Sequence, residues 1–320
     1  MISNIPQHVI EFLNKNSITA IDVGTRGGLI QFGVLEPFVN IMGFEADEEE
    51  AIIQQKANLK KRNFKTCEIV PYALWSSKTD VKEFYICNYL PNSSLLKPNI
   101  ECARKFGLAK QFSIASTKKV KCITLESMIK NKKISPPDYI KIDAQGGDFE
   151  ILKGLGTYIN NLLLARLELL FVPLYYNSPT INDIDHFMHA KQFRLLHIQN
   201  KFPRSIRSRD INFQTNNDIG EFIWADVIYA RDFEFLSEST ELTDEKMIIY
   251  FLLLAYEGFE SFAIDFLITI NKERKLLPEY DVNLLITTIL KDSYRNIVKN
   301  KIKPYIPYKL KKLFKNILHL

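Results

Sequence analysis

The first two-thirds of the chain keeps changing period. ITAIDV (18–23), NIMGFEA (40–46), TCEIVPYAL (66–74), DYIKID (138–143), LLLARLELLFV (162–172) and FRLLHIQ (193–199) are short apolar runs that read as strands. GLIQFGVLEPFV (28–39), DEEEAIIQQKANLKKR (47–62), the stretch after Asp143 and INDIDHFMHAKQ (181–192) lie between them and read as helices. The segment 47–62 begins acidic and ends basic, as a helix dipole favours. EFIWADVIYAR (221–231) suits a long last strand. Such alternation builds βαβ units, and hence an α/β domain with a mostly parallel sheet covered by helices on both faces.

Two regions depart from this rhythm. Residues 76–119 insert an extra strand, SKTDVKEFYICN, and a loop, PNSSLLKPN, before KVKCI and LESMI restore strand and helix. After about residue 235 only helical patterns remain. Thr243 is a plausible N-cap, MIIYFLLLAY (247–256) reads as a buried helix, and AYEGFESFA (255–263) spaces small residues like a helix–turn–helix. The expected division is a domain over 1–235 and an all-helical region over 236–320.

Composition narrows the class. The 320 residues are 46% apolar and 25% charged, enough for a large core. The polar N-terminus resembles no secretory signal, and the longest uncharged apolar run is too short to span a membrane. Cys67, Cys87, Cys102 and Cys122 are scattered without a CxxC pair, which points away from zinc and disulfides and towards a reducing, cytoplasmic location. Net charge is +5, yet residues from Arg295 onward carry eight Lys/Arg and no Asp/Glu. The remainder is therefore slightly acidic, which argues against nucleic acid as a partner. The tail YKLKKLFKNILHL (308–320) places Leu310, Leu313, Phe314, Ile317 and Leu318 on one helical face, with lysines largely opposite. Such a face suits either an anionic membrane surface or packing within the chain or a homo-oligomer.

Ligands of parallel sheets bind beyond the carboxyl ends of the strands. After the first strand comes DVGTRGG, with Asp22, Gly24, Gly27 and Gly28; the GxxGG spacing is not the GxGxxG dinucleotide pattern. After the second comes Glu45, 21 residues beyond Gly24 and placed to accept hydrogen bonds from ribose hydroxyls. Asp47 to Glu50 can serve the following helix N-terminus without it. Together these features point to an adenosine-containing cofactor. NAD remains one choice, but its pyrophosphate wants the regular loop. S-adenosylmethionine carries no phosphate, and the irregular turn together with Asp143 fits it better.

DVGTRGG, GFEAD, VPYALWSS, PNSSLL, YIKIDAQGGDFEILKG, LELLFVPLY and WADVIYAR occur in the order and spacing of FkbM-type S-adenosylmethionine-dependent methyltransferases. The chain resembles that family over residues 18–231 and departs from its commoner DVGAN-type loop at Arg26. The resemblance implies a class I methyltransferase fold: a Rossmann-like, seven-stranded sheet whose last strand is antiparallel. It also implies O-methylation of hydroxyls on carbohydrates, glycolipids or related molecules. Carried over by position, Asp22, Gly24 and Gly28 resemble the loop under the methionine moiety, Glu45 the ribose ligand, and Ala73 and Leu74 residues beside the adenine. Asp143 resembles the acid near the transferable methyl.

An alcohol nucleophile must lose its proton. Asp143 is the first candidate to accept it, Glu168 the second, and His197, after the sixth strand, a third. Two carboxylates at neighbouring strand ends also suit a divalent metal, but no third ligand is evident, and none is expected. Tyr175, Tyr176 and Asn177 are candidates for the acceptor pocket, while His186 and His189 read as packing or solvated residues. The competing readings are an NAD-dependent nucleotide-sugar oxidoreductase and a catalytically inactive methyltransferase-fold interaction protein.

Overall fold

A computed structural model describes residue 5 and residues 7–77, 81–204, 220–238 and 242–274. The elements in order are α1 (Gln7–Lys15), β1 (Ile18–Val23), β2 (Val39–Phe44), α2 (Glu48–Lys61), β3 (Thr66–Val70), β4 (Ala73–Leu74), β5 (Lys82–Cys87), α3 (Ile100–Lys105), α4 (Ala109–Phe112), β6 (Ile114–Val120) and β7 (Cys122–Ile123). There follow α5 (Leu125–Lys130), β8 (Tyr139–Ile142), α6 (Asp148–Lys153), β9 (Leu164–Leu170), α7 (Ile181–Ala190), β10 (Phe193–Arg204), β11 (Glu221–Arg231), α8 (Phe233–Glu238), α9 (Asp244–Tyr256) and α10 (Glu260–Arg274). They fall into two compact units: Thr19–Gln31 with Val39–Asp232, and Met1–Ile18 with Phe32–Phe38 and Phe233–Leu320.

The first unit is built on a seven-stranded sheet, ordered β3-β2-β1-β8-β9-β11-β10. The pairs β2–β3, β1–β8 and β8–β9 are parallel, and β11 runs antiparallel to both its neighbours. This is the class I methyltransferase sheet, and strand order reverses between β1 and β8. Ile21, Val23, Ile140, Ile142, Leu167 and Leu169 form a nearly dry centre, against which Ile151 and Leu152 of α6 and Ile184 and Met188 of α7 pack. Fully burying such side chains contributes roughly 1.5–3 kcal/mol each, which fixes the strand ends that carry the polar residues. At the far end of β11, buried Arg231 is satisfied by the carbonyls of Leu162, Ile159 and Lys191.

Three sequence expectations change. Residues 28–39 do not form an α-helix: an irregular stretch leads to a 3-10 turn over Gly33–Phe38, where Gly33 has a positive φ of 53° and Pro37 interrupts the ladder. TCEIVPYAL is two strands, because Pro71 cannot donate to a ladder; β3 stays in the main sheet, and β4 pairs with β7. FRLLHIQ extends into the twelve residues of β10, pulled along by its long partner β11. The inserted segment is a real substructure, an antiparallel β5–β6 pair with α3 and α4 in its connection.

The second unit is helical as far as it is described. In α9, residues Met247 to Ala255 are all buried, the state expected of a helix apolar all round. Gly258, at φ 91°, turns the chain into α10, and the Tyr250 and Phe266 rings meet edge to face at 4.8 Å. No helix among the described residues is long and apolar enough to cross a membrane. The amphipathic segment 308–320 lies outside the described residues.

Candidate active site

A cavity of about 300 Å³ opens at the carboxyl ends of the sheet. Its first wall comes from β1 and β2. Hydrogen bonds from Gly24 N to the Phe44 carbonyl (2.9 Å) and from Glu45 N to the Val70 carbonyl (3.2 Å) continue the strands past their ends. Gly24, at φ 78°, passes so close to β8 that an added Cβ would lie 2.1 Å from the Asp143 carbonyl oxygen. Only glycine fits there. The Glu45 carboxylate lines the cavity, accepts from Asp47 N at 3.1 Å, and is pushed up in pKa chiefly by burial. Asp47 caps α2 by accepting from Glu49 N and Glu50 N, so the helix does not consume Glu45. Ala73 and Leu74 continue this wall, with Tyr72 and Trp75 beside them.

Arg26, the departure from the commoner loop, has a definite position. Its guanidinium pairs with Glu50 at 3.0 Å and Asp47 at 3.5 Å while lining the cavity. Lys118 of β6 joins Asp47 from the other side at 2.9 Å.

The second wall comes from β8 and β9. Asp143 and Glu168 both line it, and the side-chain amide of Gln145 donates to Asp143 Oδ1 at 2.9 Å and to Glu168 Oε2. Gln145 sits at φ 51°, and its Oε1 accepts from the Tyr175 hydroxyl at 2.9 Å. Glu168 is pushed well above the carboxylate range, first by burial and then by the neighbouring Asp143 and Asp148. Asp148, buried at the start of α6, is also raised well above its ordinary value, mainly by burial. Lys141 crosses between the walls: its ammonium lies 3.4 Å from Asp22, 3.6 Å from Asp143 and 3.2 Å from the Gly24 carbonyl. Those anions raise its pKa against the opposing effect of burial.

Several expected residues do other work. Asp22 is fully buried outside the cavity lining and accepts from Ile30 N at 2.6 Å, tying the loop to β1. Gly28 turns that loop, donating to the Thr25 carbonyl at 2.9 Å. His197 does not follow its strand but lies within β10, opposite Ile228, and is not among the cavity-lining residues. An alternating ladder position decides this, because β10 continues beyond it. Tyr175 is buried behind the wall, whereas Tyr176 and Asn177 line a neighbouring groove. Among the described residues no cluster of three or more His, Cys, Asp or Glu could hold a metal. Lys141 and Gln145, both inside YIKIDAQGGDFEILKG, were the residues that sequence reasoning passed over. Their strand-end positions were legible, but not the partners they reach.

The family model described as Methyltransferase FkbM domain matches residues 37–195. The match spans β2 through the first residues of β10 and includes Glu45, Asp143 and Glu168. The fold and this match define an S-adenosylmethionine-dependent methyltransferase. Residues 37–195 of the chain are thus an FkbM methyltransferase domain. No curated protein matches the sequence. Among solved structures, TrmK of M. capricolum in complex with S-adenosylhomocysteine is similar at 10% identity, covering 90% of this chain and 96% of its own, with a TM-score of 0.32. Magnesium protoporphyrin IX methyltransferase (ChlM) of Synechocystis PCC 6803 with bound S-adenosylmethionine shows 10% identity over 70% of this chain and 77% of its own, TM-score 0.31. A methyltransferase of Methanosarcina mazei shows 10% identity over 72% and 99%, TM-score 0.31.

The first wall fits the cofactor. Gly24 lines the cavity without a side chain, and Glu45 offers a buried acceptor on the cavity side. Glu45 would hold the ribose, Ala73 and Leu74 the adenine, and the loop around Gly24 the methionine moiety.

Proposed function

We propose that this methyltransferase acts on a hydroxyl group of a carbohydrate, in a surface glycan, a lipid-linked sugar or a related metabolite. The observation that carries the reading is the Asp143–Gln145–Glu168 array, two carboxylates from adjacent strand ends held by one amide across the cavity from Glu45. When bound, the cofactor supplies an activated methyl group and its own leaving group. This chain supplies alignment and takes up a proton. Asp143 accepts the hydroxyl proton as the oxygen–methyl bond forms. Gln145 fixes the carboxylate's direction, and Lys141 offsets the surplus negative charge. Glu168, whose neutral form burial favours, orients the acceptor oxygen and limits repulsion between the two acids. Tyr89, Trp224 and the polar loop Asn92–Ser94 also line the cavity, and aromatic faces beside hydrogen-bonding groups suit a sugar ring.

The test is transfer of labelled methyl from S-adenosylmethionine to a panel of saccharides by the full-length protein, with products read by mass spectrometry. Gain of one methyl on a sugar hydroxyl supports the reading. Transfer only to nitrogen, sulfur or non-carbohydrate hydroxyls overturns it.

A further inference from the structure

Beside the cavity lies an open groove of about 640 Å³, and Leu95 lines both. Tyr85, Lys97, Tyr176 and Asn177 line it among apolar residues such as Leu96, Ile100 and Ile114. Tyr176 is 45% exposed and lines this groove. The groove is firmly built. Tyr85 and Ser94 exchange backbone hydrogen bonds of 2.8 and 3.1 Å, and Tyr176 N donates to the Lys97 carbonyl at 2.9 Å.

The same strip reaches the reaction centre. Ser94 Oγ donates to the Gln145 carbonyl at 2.8 Å, and the Tyr175 hydroxyl, with one proton to share, lies 2.9 Å from both the Asn92 carbonyl and Gln145 Oε1. The strip that lines the groove is thus tied to the residue that joins Asp143 to Glu168.

Charge indicates what the groove receives. Residues 81–121 carry eight Lys/Arg against two Asp/Glu, inside a body that is otherwise net acidic. Lys118 spends its charge on Asp47, and Lys82 lies over the Trp75 ring at 4.2 Å. Lys97 sits in the groove itself and is exposed. Two tyrosines, an asparagine amide and an ammonium make a surface for a sugar ring that carries an anionic group.

We propose that this groove is a second acceptor subsite, and that the substrate is an anionic saccharide of more than one unit: the cavity takes the hydroxyl to be methylated, and Lys97 holds the carboxylate or phosphate of the neighbouring unit between Tyr85 and Tyr176. The proposal rests on the carbohydrate reading above and adds the length and charge of the acceptor.

Calorimetry on the full-length protein saturated with S-adenosylhomocysteine tests it, using a glucuronate-containing disaccharide, maltose phosphate and neutral maltose as probes. One or both anionic probes should bind about tenfold more tightly than maltose, and which one does so tells carboxylate from phosphate. Lys97→Glu should erase that preference, and Tyr176→Ala should weaken every probe that binds. An anionic preference unchanged in Lys97→Glu, or equal binding of charged and neutral probes, overturns the subsite while leaving the carbohydrate reading intact. If S-adenosylhomocysteine binds but no saccharide does, both fall.

Discussion

The two walls of the cavity handle their acids in opposite ways. On the β1–β2 wall, Glu45 is a single carboxylate with a backbone donor at 3.1 Å and the Arg26 guanidinium nearby. On the β8–β9 wall, Asp143, Asp148 and Glu168 crowd together around one ammonium, Lys141. The first arrangement is a static acceptor, suited to holding hydroxyl groups that do not react. The second places more carboxyl groups together than can comfortably ionise, and a proton is readily taken up there. The proposed mechanism accordingly gives binding to one wall and proton transfer to the other.

The largest effect should come from the reactive wall. Asp143→Asn keeps size and shape but removes the proton acceptor, and turnover should fall about a thousandfold, or roughly 4 kcal/mol, while S-adenosylhomocysteine still binds. Retained turnover in a single-turnover assay would move the proton elsewhere and erase the contrast between the walls. Next comes the residue linking them. Lys141→Met leaves buried Asp22 without its cation, and thermal or urea unfolding should show a loss of about 3 kcal/mol. A loss below about 1 kcal/mol would mean that Lys141 is dispensable to the loop.

Glu45→Ala should act on binding. The expected loss of S-adenosylhomocysteine affinity is about tenfold by calorimetry, or roughly 1.4 kcal/mol. Unchanged affinity would sink the ribose assignment. The smallest effect is on the pH dependence of stability. Glu168 is raised in the fold above its unfolded value, so the native state holds the extra proton. Stability from this group is complete below the ordinary carboxylate range and declines as pH climbs towards the raised value. Glu168→Gln keeps the neutral form at every pH, so the gap between the variant and the wild type should widen from pH 5 to pH 8 in melting experiments. Parallel curves would show that Glu168 carries no such strain.

How much of this was readable beforehand differs between residues. The place of Glu45 on the cavity wall was legible because ligand sites of such sheets lie beyond the strand ends, and because Asp47 was available to cap the helix. Asp143 was legible for the same reason. His197 was misplaced after the strand, although it lies inside the run FRLLHIQ and pairs with Ile228 within β10. The expected helix over 28–39 failed at Gly33 and Pro37, where local backbone geometry overrode the apolar spacing.

The sequence alone determined the alternation of strands and helices, the glycine at position 24, and the acids at strand ends 45 and 143, since these follow from periodicity and chain geometry. Only the tertiary structure decided that Lys141 bridges Asp22 and Asp143, that Gln145 joins Asp143 to Glu168, and that residues 92–98 link a second groove to that centre. These are contacts between segments distant in the chain. Their energies depend on burial and distance, and neither exists until the sheet has brought the strand ends together.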